Sequence, residues 1–439
     1  MESCAFLENS EVVGVLDRLK TRCAGKVLSD IVDAEGHQYV DFVMEGGGVL
    51  GVALVGYTYV LEQMGIRFLG VGGTSAGAIN ALLVAAAGPP QEAKSERTIP
   101  HLADLDCHTF VDGGCHIQRF IDDWIREGVN FSLAPSLPWV LGHLKNDLGL
   151  NPGLDFLNWL SGVLRSFNIV TYRDLRERMN RRPEGLRHRE EKPLPDEQAE
   201  AHLAVVATEI VTETKVEFPE MAGLFWIKPD ELDPALFVRA SMSIPYFFQP
   251  LVLDDIPRGS EARELWSTLA GFDGPIPERC MMVDGGVMSN FPIDLVHLPD
   301  QVPAAPTFGV KLGLEERHNE IKTPIALGWA VLNSARHCLD YDFLRRNPDY
   351  RHLVAWIDTG QHQWLNFDMT EDEKIDLFLC GVRAAAGFLE GFDWAGYKAI
   401  RADLVKVYAQ PDGPPSHRIP WAGQLEVRKV TATKTGEYR

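Results

Sequence analysis

The chain of 439 residues carries 42 Lys and Arg against 62 Asp and Glu, a net charge of −20 that argues against nucleic acid and against electrostatic attachment to anionic lipid. An apolar content of 45% is that of a globular protein, long enough for one large domain or two smaller ones. The seven cysteines stand at 4, 23, 107, 115, 280, 338 and 380 with no CxxC. That pattern, with no signal-peptide pattern at Met1 to Asn9 and no apolar run of ~20 residues, predicts reduced thiols, a cytoplasmic location and no transmembrane helix.

In chain order, residues 1–37 read as an N-terminal extension with a short amphipathic helix over Val12 to Leu19. Val40 to Met44 is a short apolar strand. Gly46, Gly47, Gly48 and Gly51 follow, then an apolar helix from Val52 to Met64. Phe68 to Val71 is a second strand, ending in Gly73-Thr74-Ser75-Ala76-Gly77 and a small-residue helix that Gly88-Pro89-Pro90 stops. Strands alternating with helices predict parallel βαβ packing.

The pentapeptide reads as a nucleophile elbow, G-x-S-x-G. The serine must sit on a tight turn so that its hydroxyl projects above the sheet. Gly73 and Gly77 occupy the positions where a side chain would collide with the neighbouring strand or helix. Ser75 then lies at a helix N-terminus, where N–H groups and the dipole favour negative charge. A tight turn with an incidental serine is the bland alternative. The run Gly46-Gly47-Gly48 offers successive N–H groups with little steric cover, which suits an oxyanion hole. Its G-x-G-x-x-G spacing also fits a dinucleotide fingerprint, but that would need an acidic residue about twenty positions on, after a second strand. The second strand ends in the elbow instead.

Further on, residues 91–108 read as polar loop. Asp112-Gly113-Gly114 precedes a helical pattern, and Asp112 reads as a helix cap. Residues 129–168 hold Phe131, Leu137, Trp139, Val140, Leu141, Leu144, Phe156, Trp159, Leu160 and Phe167, broken by prolines. They predict a helical insertion that either lines an acyl pocket, forms a lid, or simply packs. Arg173 to Glu200 reads as a charged helix and a solvated surface loop. His202 to Thr208 and Thr214 to Phe218 form a hairpin. Pro234 to Met242 is helical, Phe247 to Val252 extended, and Asp254 to Glu278 an irregular insertion. Cys280 to Val283, Pro306 to Lys311 and His352 to Ile357 are strands. Thr323 to Arg345 and Met369 to Leu389 are helices, the second capped by Thr370.

The strand at Cys280 delivers Asp284 into Gly285-Gly286, followed by Asn290-Phe291-Pro292. GGGxxG, GTSAG, a distant DGG and Asn-x-Pro, in this order, resemble the patatin-like phospholipase family. Arg239-Ala240-Ser241-Met242-Ser243-Ile244-Pro245 resembles that family's R-A-S-x-S-I-P segment. The resemblance covers roughly residues 38–312. It implies an α/β fold, a central, mostly parallel sheet flanked by helices, with a helical insertion for which a lid is one of the readings. It further implies a lipid acyl hydrolase with Ser75 as nucleophile, Asp284 as base and Gly46, Gly47 and Gly48 as the oxyanion loop, supported by Gly51, Gly73, Gly77, Gly285 and Gly286. One departure is Leu50, where the family has Arg or Lys.

A Ser–His–Asp triad would need a late histidine. Of His337, His352, His362 and His417, only His362 follows a glycine turn, and it reads as a surface residue. The reading is therefore a serine phospholipase A-type hydrolase acting through a dyad and an acyl-enzyme, with no cofactor and no metal, since no ligand spacing stands out. Its partners are a phospholipid or other acyl-ester lipid and, peripherally, a membrane. The alternatives are an acyltransferase or thioesterase on the same dyad, or a silent binding protein of this fold. The domain is expected over 38–410, with insertions at about 91–168 and 253–279 and a C-terminal extension over 411–439.

Overall fold

The computed structural model describes residues 3–127, 136–296, 301–313 and 346–408, with isolated positions between 321 and 344. Most of the helix expected over 323–345 and the whole of 411–439 lie outside the described residues.

The central sheet contains β1 (Gln38–Met44), β2 (Ile66–Thr74), β3 (His202–Glu209), β4 (Thr214–Phe218), β5 (Leu251–Asp254), β6 (Arg279–Asp284), β7 (Thr307–Leu312) and β8 (Val354–Ile357). Its main path runs β8-β7-β1-β2-β3-β6-β5. The five strands from β8 to β3 are parallel. β4 and β6 both pair with β3 antiparallel, and β5 pairs with β6 antiparallel. The sheet is thus mostly parallel at its centre, as expected, and antiparallel at one side. Every residue of β2 is buried, which is why its sequence is apolar and small apart from Arg67: helices cover both faces of a parallel sheet.

The two helices beside β2 are apolar on all sides. Gly51–Gln63 and Ala76–Ala86 have nearly every residue buried, the pattern of a helix inside a core. Gly51–Gln63 also packs against Glu371–Gly391 at backbone distance. A Cβ on Gly381 would meet the Ala53 carbonyl oxygen and one on Gly56 the Phe378 carbonyl oxygen at 2.1 Å. The N-terminal helix, Ser10–Arg22, lays Val12, Val15, Leu16 and Leu19 against this layer. Thr370 caps Glu371–Gly391 in a capping box with Glu373.

Two segments differ from expectation, and a third holds a helix where none was expected or excluded. Residues 91–108 contain the helix Ser95–Asp104. Its N-terminus is held by a remote carboxylate: Glu62 Oε2 accepts the Lys94 and Ser95 N–H groups at 2.8 and 2.7 Å. The insertion at 254–278 contains the helix Ser260–Ala270, anchored by the fully buried Trp266 against Phe225. A further helix, Trp394–Tyr408, follows Glu371–Gly391. In the first two cases a tertiary partner outweighs a polar or broken local sequence.

Candidate active site

The elbow has the conformation its sequence implies. Ser75 has φ 53° and ψ −118°, a left-handed backbone that non-glycine residues seldom adopt. It is buried and opens the helix Ala76–Ala86. A Cβ on Gly73 would meet the Gly77 carbonyl carbon at 2.4 Å, and one on Gly77 the Met44 carbonyl oxygen at 2.2 Å. Both glycines are therefore required by close backbone approach.

Asp284 reaches Ser75 by an unusual strand arrangement. β3 has two edges, and β4 occupies one of them along Val205 to Glu209. β2 pairs with His202 to Val206 and β6 with Ala207 to Glu209. These two must share the remaining edge. They run in opposite directions and meet end to end, Thr74 opposite Val206 and Asp284 opposite Ala207. Adjacent β3 residues are only about 3.3 Å apart along the strand, so the elbow and the Asp284 turn are neighbours. A Cβ on Gly285 would lie 2.1 Å from the Val206 carbonyl oxygen and 3.0 Å from Thr74 Cγ2. The turn is also stitched to the elbow, Thr74 Oγ1 donating to the Ser289 carbonyl at 2.9 Å. Asp284 is buried, and its Oδ1 accepts the Gly286 N–H at 2.7 Å.

The glycine loop lies on the other flank. Its three members do different things. The Gly46 N–H donates to the Asn290 carbonyl at 3.1 Å, and Asn290 Nδ2 returns a bond to the Gly46 carbonyl at 3.2 Å. This corrects the expectation that Gly46 is an oxyanion donor: its N–H is already committed. What Gly46 supplies is proximity, since a Cβ there would stand 3.1 Å from Ser75 Cβ. No backbone acceptor for the N–H groups of Gly47 or Gly48 is found among the described residues. Gly48 has φ +56°, with the Trp364 carbonyl oxygen where a Cβ would be. Gly51 lets the loop helix close on Ala76, whose Cβ would be 2.9 Å from a Cβ at Gly51. The Asn-x-Pro sequence thus has a visible task, pinning the glycine loop to the Asp284 turn. Leu50 is buried in the core.

Beneath Ser75 is an apolar cavity of about 100 Å³. Val52, Leu83, Leu102, Phe110, Phe156 and Trp159 are among its walls. Burial pushes the Cys107 thiol on this wall up to about 11, so it is not a thiolate. Among the described residues no histidine lines the cavity. His362 instead pairs with Asp376 at 2.9 Å beside a separate acidic cleft. His337 and His417 lie outside the described residues. Among the described residues no cluster of three or more His, Cys, Asp or Glu could hold a metal ion.

The segment that sequence reading used only for resemblance, Arg239 to Ile244, touches the site on both sides. Ser241 Oγ accepts the Ser75 N–H at 2.9 Å and donates to the Val206 carbonyl at 2.5 Å. The Ser243 carbonyl accepts the Asp284 N–H at 2.8 Å. Arg239 donates to Ser243 Oγ, and to the Pro152 and Gln249 carbonyls at 2.6 and 2.9 Å. Burial pushes the Arg239 guanidinium down to about 10, with Asp112 opposing the shift. The only sequence signal for these tasks was serines at alternate positions beside a buried arginine. Asp112 itself accepts the N–H groups of Gly153, Leu154 and Asp155. It is a cap, but of the helix Leu154–Ser166 rather than of the helix that follows it in sequence.

The model of the patatin-like phospholipase family matches residues 42–297. That is more than half of the chain, and the chain belongs to this family, whose name is that of lipid acyl hydrolases. An uncharacterised Bacillus subtilis (strain 168) protein, YqhO, is 27% identical over 355 residues, which span 80% of this chain and 98% of YqhO. A crystal structure of VipD from Legionella pneumophila aligns over 84% of this chain and 72% of that one, at 14% identity and a TM-score of 0.38.

Proposed function

We propose that the protein is a serine lipid acyl hydrolase of phospholipase A type, in which Ser75 is the nucleophile and Asp284 the general base. The observation that carries this reading is the end-to-end meeting of β2 and β6 on one edge of β3, above an apolar cavity. Asp284 takes the Ser75 hydroxyl proton as Oγ attacks the ester carbonyl. The N–H groups of Gly47 and Gly48 receive the developing oxyanion, and the proton passes to the departing alcohol. Water, deprotonated by the same carboxylate, then releases the fatty acid from Ser75. A carboxylate with an ordinary pKa of ~3.9 is a weak base, so the mechanism leans on the helix N-terminus under Ser75 and on the two glycine donors. The apolar wall suits the first few methylenes of an acyl chain.

The test is hydrolysis of mixed phospholipid, with products read by mass spectrometry. Ser75→Ala should be folded and inert, and a fluorophosphonate should label Ser75 in the wild type. Wild-type turnover by Ser75→Ala would reject the assignment. An acyltransferase of the malonyl type would carry His beside the serine, where this chain has Thr74. A silent scaffold would fail to turn over a p-nitrophenyl ester.

Membrane contact in this reading is apolar and local. No described helix is long and apolar enough to cross a membrane. The helix Leu137–Asn146 instead exposes Leu137, Trp139 and Leu141, while Leu148 and Tyr246 are exposed at the adjoining small sheet. Trp159, by contrast, stands in the cavity wall. Three arginines of the charged segment that begins at Arg173 are engaged elsewhere: Arg176 pairs with Asp230, Arg182 with Asp196, and Arg178 donates to the Ala86 carbonyl. Trp139→Ala should therefore weaken hydrolysis of vesicles more than of a soluble ester, and Trp159→Ala both. Added salt should alter vesicle co-sedimentation little; a steep salt dependence would return attention to the arginines.

A further inference from the structure

The residues from Ser241 to Ile244 alternate in what they serve. Ser241 and Ser243 bond to the backbones of Ser75 and Asp284. Met242 and Ile244 line the apolar cavity. One short segment therefore holds both halves of the dyad on one side and forms the acyl wall on the other. Both serines are fully buried. The segment is fixed from behind by Arg239, whose bonds run to Ser243 Oγ, to the Pro152 carbonyl ahead of the helix Leu154–Ser166, and to the Gln249 carbonyl just beyond the small-sheet strand Tyr246–Phe248. That helix and strand supply Phe156, Trp159 and Phe248 to the same cavity.

We infer that Arg239, Ser241 and Ser243 are positioning residues that set the separation of Ser75 and Asp284, and that an acyl chain seated against Met242 and Ile244 tightens this setting. The inference rests on the Ser75–Asp284 reading. Its physical content is that Ser75 follows β2 and Asp284 ends β6, two strands joined by no direct ladder, so their spacing is held by groups that bridge them. The Ser241 hydroxyl spans Ser75 and β3, and the Ser243 carbonyl reaches Asp284, within three residues of one another. A filled cavity restricts Met242 and Ile244, and with them the serines between. Binding energy from the remote end of the substrate is then expressed at the reacting centre, which appears in kcat rather than in KM.

The experiment uses the full chain and p-nitrophenyl esters from acetate to dodecanoate, together with fluorophosphonate labelling of Ser75. In the wild type, kcat should rise with chain length. Ser241→Ala should lower both kcat and the labelling rate by about 10²-fold, the usual cost of a misplacement near 1 Å, with KM little changed. Ser241→Thr keeps the acceptor oxygen and should recover much of the loss. Wild-type kcat in Ser241→Ala would overturn the inference, as would a folded Ser241→Thr no better than a folded Ser241→Ala. If the Ser241 variants do not fold, the wild-type series decides: a preference for long chains carried wholly by KM, with kcat flat, rejects the coupling. Failure of the underlying dyad is separately visible, since Ser75 of the wild type would then not label.

Discussion

Asp-Gly-Gly occurs at 112–114 and again at 284–286, and the two copies do unlike things. Asp112 spends its carboxylate on three N–H groups at the start of the helix Leu154–Ser166. Asp284 ends a strand and meets the Ser75 turn along a shared edge of β3. Their first glycines are alike, since a Cβ on Gly113 would meet the Leu150 carbonyl oxygen at 2.2 Å and one on Gly285 the Val206 carbonyl oxygen at 2.1 Å. In the first copy the second glycine, Gly114, has φ +85° and open space around it. The tripeptide is thus a means of turning the chain sharply after a carboxylate. What the carboxylate then meets, a helix N-terminus or a serine, comes from elements far away in sequence.

The sharpest way to break this contrast is to neutralise each aspartate. Asp284→Asn should lower kcat by about 10²–10⁴-fold, the range for a general base, with a melting temperature close to wild type. An active Asp284→Asn enzyme would mean that the second copy is only a turn. Next in size is Gly285→Ala. Its methyl has no room beside Val206, and overpacking of this kind costs roughly 1–3 kcal/mol, to be read by denaturant unfolding. Asp112→Ala should cost about 1–2 kcal/mol as a lost cap, with kcat per folded molecule near wild type; loss of turnover without loss of stability would give the first copy the catalytic role. The smallest effect is expected for Gly114→Ala. Only its left-handed backbone is at issue, at about 1 kcal/mol, and a loss as large as that of Gly285→Ala would show that the surroundings of Gly114 itself are tighter than its open space implies.

Several elements were legible because local sequence and final environment agree. The buried β2, the all-apolar helices beside it, the elbow glycines and the Thr370 cap each follow from patterns a few residues long. The helices Ser95–Asp104 and Ser260–Ala270 were not, since their anchors are Glu62 and Phe225, distant in the chain. Gly46 shows the same limit within the site. A triple glycine implies available N–H groups, and nothing local reveals that Asn290 has taken one of them.

The sequence by itself therefore determined the parts: a strained serine at a helix N-terminus, a glycine loop, and an aspartate leaving a strand, in the order of one family. Their meeting was decided by tertiary structure. β4 claims one edge of β3, so β2 and β6 must divide the other, and the division falls between Val206 and Ala207. No pattern in the sequence encodes where two strands of opposite direction will stop against each other. That boundary depends on which hydrogen-bonding edge remains free once the hairpin has formed, and the approach of Ser75 to Asp284 follows from it.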